Sequence, residues 1–320
     1  MTQEAMTQAD DTPKFVRKDW RRLPFSPGLC CLQALSPSGK SASGAALTRA
    51  DAYFACMGEL AEIAALEHAN PEAEPAPHPK PDLAAKPSWT GLAAGQSDAA
   101  AQYRALCEAL ERASIDLWWQ GHLRAAPVDM TQSQGPALQG LIDRLRGSKT
   151  SPRRSSLWRL DGFGGLPVTV ALSTDAQSKG LVLGYGADWD AAASGRRALV
   201  EMALMELNLS DTTDPVTQAK RLSALQQGFE ARINRLFSTA PKAVDGRPLA
   251  PLSTAPTATS GSAQMQRNFE ALKTALKAAS VGYRIRNLSA PDLAYPVWTV
   301  TLTETPSAGS PTPLCQRPLL

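Results

Sequence analysis

Residues 90 to 112 read TGLAAGQSDAAAQYRALCEALER. A Gly-bounded run of small residues leads into Ser-Asp, and then into apolar and Ala positions at helical spacing, which predicts a helix over 97–122. Glu108 and Glu111 stand three residues apart and share one face of that helix. On an ordinary amphipathic helix such a pair is a solvated face. Here Leu106, Cys107, Ala109 and Leu110 surround it with residues typical of buried helix surface, and buried carboxylates need cations.

The same unit recurs along the chain. GYGADWDAAASGRRALVEMAL begins at Gly184, and Glu201 stands as far beyond that glycine as Glu108 stands beyond Gly91. GAALTRADAYFACMGELAEI begins at Gly44 and forms a looser copy, with Glu59 and Glu62 spaced like Glu108 and Glu111. Each copy is expected to be a Gly-containing turn followed by an Ala-rich helix, so that Glu59, Glu62, Glu108, Glu111 and Glu201 point into one cavity.

The oxygen-rich set narrows the choice of cation. Di-iron bundles use Glu-x-x-His, whereas the residues three after Glu59, Glu108 and Glu201 are Glu62, Glu111 and Leu204. The three histidines, His68, His78 and His122, are not at ligand spacing from these glutamates. Oxygen-only coordination points to magnesium, which bridges a few carboxylates to nucleotide phosphates.

Further helices are expected at 48–69, 136–146, 190–209, 215–237 and 263–280, and strands at 166–172, 180–183, 282–287 and 296–302. They interleave without a regular βαβ order, which favours an α+β fold of mixed sheets packed with Ala-rich helices. Pro-rich stretches at 70–88 and 238–264 read as surface connections. Residues 1–25 read as a flexible arm, 26–305 as one domain, and 306–320 as a Pro-rich tail.

Composition excludes several classes. Thirty-three Lys and Arg are scattered among thirty Asp and Glu for a net charge of +3, which gives little support for nucleic-acid binding. No apolar stretch suits a signal peptide or a membrane span, so a cytoplasmic protein is expected. Cys30, Cys31, Cys56, Cys107 and Cys315 are odd in number and lack Cys-x-x-Cys spacing, and read as free thiols.

On these motifs the chain resembles the YcaO family, ATP-using enzymes that modify ribosomally made peptides. GELAEI at 58–63 looks like the family's first Glu-x-x-Glu-Arg motif, TGLAAG at 90–95 with CEALER at 107–112 like the second, and GYGA at 184–187 with VEMAL at 200–204 like the third. GLPVTVAL at 165–172 and VGYRIRNLSAPDLAYPVWTVTL at 281–302 resemble its strand segments, so the likeness covers about residues 40–305. Thr90, Ala55, Ile63 and Leu204 depart from the family's usual Asn, Ser, Arg and Gln.

The resemblance implies that Glu59, Glu62, Glu108, Glu111 and Glu201 hold magnesium ions clamping ATP. Arg112 would contact a phosphate or partner a carboxylate, and Glu108, Glu201 and Arg112 would carry the catalysis. The implied reaction is ATP-driven activation of a backbone amide, giving thiazoline or oxazoline rings at Cys, Ser or Thr of a precursor peptide. Thioamide formation and a non-catalytic scaffold role are the alternatives. The implied partners are the precursor peptide, a separate leader-peptide-binding protein, an azoline dehydrogenase and a second copy of the chain within a complex. The tail is expected to pack toward the glutamate cavity.

Overall fold

The structure, a computed structural model, describes residues 15–69, 89–131, 134–147, 151–160, 165–178, 180–209, 231–233, 235–237, 262–289 and 295–303. Three antiparallel sheets make up its β content. In the first, β1 (Arg17–Arg21), β2 (Cys30–Leu35) and β3 (Ser41–Ala46) lie in chain order. In the second, β10 (Val297–Leu302) lies between β4 (Thr90–Ala94) and β9 (Tyr283–Asn287). The third runs in order through β5 (Ala125–Pro127), β6 (Arg153–Leu160), β7 (Val168–Asp175) and β8 (Val182–Ala187). The helices are α1 (Arg49–Ala69), α2 (Asp98–Trp119), α3 (Gly135–Arg146), α4 (Ala191–Met205) and α5 (Ser262–Ala278).

A terminal strand of each sheet feeds directly into a helix: β3 into α1, β4 into α2 and β8 into α4. The helices start where capping chemistry allows. The Ser97 hydroxyl accepts from the Ala100 N–H at the head of α2, and the Asp190 carboxylate accepts from the Ala192 and Ala193 N–H groups at the head of α4. Helix α2 is the central pillar. Leu106, Leu110, Ile115 and Trp118 are fully buried in the core that α2 shares with β4, β10, β8 and α5, each such side chain contributing about 1.5–3 kcal/mol.

The glycines of the repeat lie on strands, which corrects the turns expected from sequence. Their role is close packing. A Cβ on Gly91 would meet the Ala105 carbonyl and Ala109 nitrogen of α2, and one on Gly184 would meet the Ala198 carbonyl and Met202 nitrogen of α4. Gly44 has the surroundings of Gly186 instead: a Cβ there would strike Ala52 O and Cys56 N, as one on Gly186 would strike Ser194 O and Ala198 N. The looser copy is therefore in register once Gly44 is aligned with Gly186, since Glu59 and Glu201 each lie fifteen residues beyond their glycine.

Other expectations shift in detail. Part of the expected N-terminal arm, Arg17–Arg21, is a strand, because its backbone pairs with β2 along its whole length even though its side chains are mostly exposed. The strand expected at 180–183 runs from Val182 to Ala187, absorbing the GYGA motif. Helix α4 ends at Met205 and continues as a 3-10 turn over Glu206–Leu209. Of the helix expected at 215–237, residues 231–233 and 235–237 are described and helical. The segments 70–88 and 238–261 and the tail 306–320 lie outside the described residues.

One buried ionic clamp ties this framework together. Glu206 is 1% exposed and lies between the Arg146 and Arg153 guanidiniums at 2.9 and 3.1 Å, while Ser26 and Ser173 donate to its two oxygens. The clamp joins the end of α4 to α3, β6 and β7.

Candidate active site

Three of the repeat's glutamates are held by one construction. The Ser43 N–H donates to Glu59 Oε2 at 2.6 Å, the Leu92 N–H to Glu108 Oε2 at 3.0 Å, and the Tyr185 N–H to Glu201 Oε2 at 2.5 Å. Donor and acceptor are sixteen residues apart each time. In every copy the carboxylate of the helix reaches back to the free edge of the strand that precedes it. Glu62 makes the corresponding contact across copies, accepting from the Ala94 N–H of β4 at 2.8 Å. Glu111 forms no hydrogen bond or ion pair with the described residues.

Four of these carboxylates meet at a cavity of about 500 Å³. Glu62, Glu108, Glu111 and Glu201 line it with Leu92, Tyr185 and Leu204. Glu59 does not line it, although its charge acts on Glu62. Arg112 also stands outside the lining. Its Nη2 pairs with Glu108 Oε1 at 2.6 Å and its Nη1 donates to the Thr90 carbonyl at 2.7 Å, so of its two expected roles it performs the carboxylate partnership.

Burial raises the proton affinity of every one of the five glutamates. Burial pushes the Glu62 carboxyl up to about 8, against the Ala94 N–H and with help from the Glu108 and Glu59 charges. Burial likewise takes Glu201 to about 7, with the Tyr185 N–H opposing and Glu108 adding to the rise. Glu111 is pushed well up by burial and then by Glu201 and Glu108. Burial raises Glu108 against the pull of Arg112, and Glu59 against the Ser43 N–H.

Three arginines on the same wall, Arg104, Arg196 and Arg197, were not singled out from sequence. Arg197 Nη2 pairs with Asp188 Oδ2 at 3.2 Å, and Asp188 in turn accepts from the Tyr103 hydroxyl at 3.0 Å. The signal for two of the arginines was in the repeat. Arg104 precedes Glu108 by four residues and Arg197 precedes Glu201 by four, one helical turn on the same face. The corresponding position in the first copy is Ala55, which is exposed and outside the cavity lining. Of the other departures, Ile63 packs against the core beside Leu32 and Met57, Thr90 bonds Thr301 through their hydroxyls, and Leu204 lines the cavity.

The donor set fits magnesium in its chemistry: carboxylate oxygens of raised proton affinity, one of which, on Glu111, has no hydrogen bond or ion pair among the described residues. Among the described residues no three Asp, Glu, His or Cys side chains stand close enough to hold a metal ion as placed. The expected set is thus gathered on one cavity wall, Glu59 excepted, without being closed into a coordination sphere. His68 is exposed, and Cys30, Cys31, Cys56 and Cys107 are free thiols. Among the described residues no helix is long and apolar enough to cross a membrane.

A family model described as YcaO cyclodehydratase, ATP- and Mg2+-binding, matches residues 72–304. The chain belongs to the YcaO family. Among solved structures, a heterocyclase in complex with substrate and cofactor is similar with a TM-score of 0.64 at 17% identity, over 90% of this chain and 49% of the other. YcaO from Methanopyrus kandleri, bound with AMPPCP and Mg2+, is similar with a TM-score of 0.57 at 19% identity, over 89% of this chain and 84% of the other. This chain therefore spans about half the length of the heterocyclase. At these identities the two structures establish the shared α+β fold. No curated protein matches the chain.

Proposed function

We propose that this YcaO domain activates backbone amides of a ribosomally made precursor peptide with ATP and magnesium, giving thiazoline or oxazoline rings at Cys, Ser or Thr. The observation that supports this most is the convergence of Glu62, Glu108, Glu111 and Glu201 with Arg104 and Arg197 on one cavity. Carboxylates of high proton affinity are natural ligands for a divalent cation, and the arginines suit phosphate oxygens.

The chemical need is specific. When a Cys, Ser or Thr side chain adds to the preceding carbonyl, the oxygen is a poor leaving group and the addition reverses. ATP, when bound, supplies the phosphoryl group that turns that oxygen into a leaving group, and magnesium neutralises the triphosphate charge. This chain's residues position and stabilise. Glu62, Glu108, Glu111 and Glu201 would hold the metal, Arg104 and Arg197 the phosphates, and Arg112 fixes Glu108 in place. The strand N–H groups orient three of those carboxylates before anything binds.

A precursor peptide and a separate leader-peptide-binding protein are the proposed partners, with an azoline dehydrogenase acting on the product and a second copy of the chain within the complex. A scaffold reading has one specific observation in its favour: Leu204 puts an aliphatic side chain on the cavity wall at the third copy's equivalent of Glu62 and Glu111. The test is to combine the protein with candidate precursor and partner, with and without ATP and magnesium. Loss of one water per ring by mass spectrometry, matched by ATP consumption, is the expected result. A gain of sulfur at the expense of oxygen would indicate thioamide formation, and absence of magnesium-dependent ATP turnover would favour the scaffold.

A further inference from the structure

Tyr185 presents a physical problem that the preceding reading leaves unsolved. It is 2% exposed, it lines the carboxylate cavity, and its hydroxyl is buried without a hydrogen-bond partner among the described residues. A buried, unpartnered polar atom is destabilising, and phenylalanine would pack the same space without that cost. The local geometry holds the residue firmly in place. Its neighbours Gly184 and Gly186 are locked against the α4 backbone, and its own N–H is bonded to Glu201. Since side chains alternate along a strand, the ring points away from α4, and it packs in the cluster that contains Cys107 and Leu110 of α2. Glu111 follows Leu110 directly and also lines the cavity, without hydrogen bond or ion pair among the described residues.

An unpartnered donor and an unpartnered acceptor thus flank one site. We infer that Tyr185 is a positioning residue whose hydroxyl donates to the Glu111 carboxylate when magnesium and nucleotide occupy the cavity, fixing which oxygen faces the metal. The inference rests on the magnesium–nucleotide reading. A metal ligand with one oxygen on the cation gains orientation when a second group holds the other oxygen. Tyr103 provides the contrast, because its hydroxyl is satisfied already, donating to Asp188 and accepting from the Trp189 N–H.

The test compares Tyr185→Phe with Tyr103→Phe by thermal denaturation with and without magnesium and a non-hydrolysable ATP analogue, alongside calorimetric titration of the same ligands. Without ligand, Tyr185→Phe should melt at or above the wild-type temperature, and Tyr103→Phe below it. With ligand, Tyr185→Phe should bind the magnesium–nucleotide complex about tenfold more weakly, the effect of losing a hydrogen bond to a charged group, and gain less stabilisation. Magnesium-free nucleotide should bind both proteins alike. Wild-type-like ligand binding by Tyr185→Phe, or a drop in its unliganded melting temperature equal to that of Tyr103→Phe, would overturn the assignment while leaving the nucleotide reading intact. No ligand-induced shift in the wild type would overturn both.

Discussion

Gly184→Ala tests the idea that strand-to-helix contact, more than the glutamate itself, places the site. An added Cβ would lie 2.1 Å from Met202 N and 2.4 Å from Ala198 O. Both are backbone atoms, so no side-chain rotation relieves the clash. Restoring an ordinary contact of about 3.4 Å requires β8 and α4 to separate by about 1.3 Å. The same displacement would stretch the 2.5 Å bond from the Tyr185 N–H to Glu201 beyond hydrogen-bonding range. Overpacking of this kind costs about 1–3 kcal/mol, which lowers the melting temperature of a domain this size by roughly 2–5 °C. Gly140→Ala is the matched control. It lies within α3 with open space around it, and should stabilise by about 0.5–1 kcal/mol through helix propensity. Scanning fluorimetry and magnesium-dependent ATP turnover on both variants decide the matter. If Gly184→Ala melted with the wild type and kept its turnover, the close-packing account of the repeat would be wrong.

The remaining predictions concern charge. Since Glu62 and Glu201 have folded-state pKa values of about 8 and 7, above the unfolded range, the stability they lend is full below about pH 4 and is lost as pH rises through 7 to 8. The ligand-free melting temperature should therefore fall between pH 5 and pH 8.5 while magnesium–nucleotide affinity rises, and calorimetry in buffers of different ionisation heat should detect proton release on binding. Glu108→Ala should abolish ATP turnover and also lower stability, because the Leu92 N–H and Arg112 lose their partner; turnover at wild-type level would remove Glu108 from the site. Glu206→Ala leaves two buried guanidiniums unpaired and should cost about 3–5 kcal/mol in urea denaturation. Deleting residues 316–320 should lower ring formation more than ATP binding, and equal activity would show that the tail is dispensable.

The helices were legible because Ala-rich spacing is a local signal, and five of the six expected helices appear within a few residues of their expected bounds, the sixth being described only in part. The GLAAG and GYGA segments were misread, since Gly and Ala carry weak strand propensity; only the helix backbone pressed against Gly91 and Gly184 explains why small residues are needed there. Strands β1, β2, β3, β5 and β6 were missed for a related reason: polar and small side chains such as those of Ser41–Ala46 are held in a sheet by their neighbours. The glutamates were visible as a repeat. Arg104 and Arg197 are carried by the same repeat, at a fixed step before Glu108 and Glu201, but an arginine is not a metal ligand and does not announce itself beside the carboxylates. The Arg146–Glu206–Arg153 clamp joins residues far apart in sequence, and no local pattern announces it.

The three strands that feed the helices are terminal in their sheets among the described residues, and Glu59, Glu108 and Glu201 each accept from a backbone N–H of one of them. The site residues therefore also complete the hydrogen bonding of those strands. Truncating one to alanine leaves a strand N–H without its acceptor and costs stability, whereas glutamine keeps an oxygen for it. Loss of stability on alanine substitution would not mean that the fold depends on metal binding, and a glutamine series separates lost chemistry from lost stability.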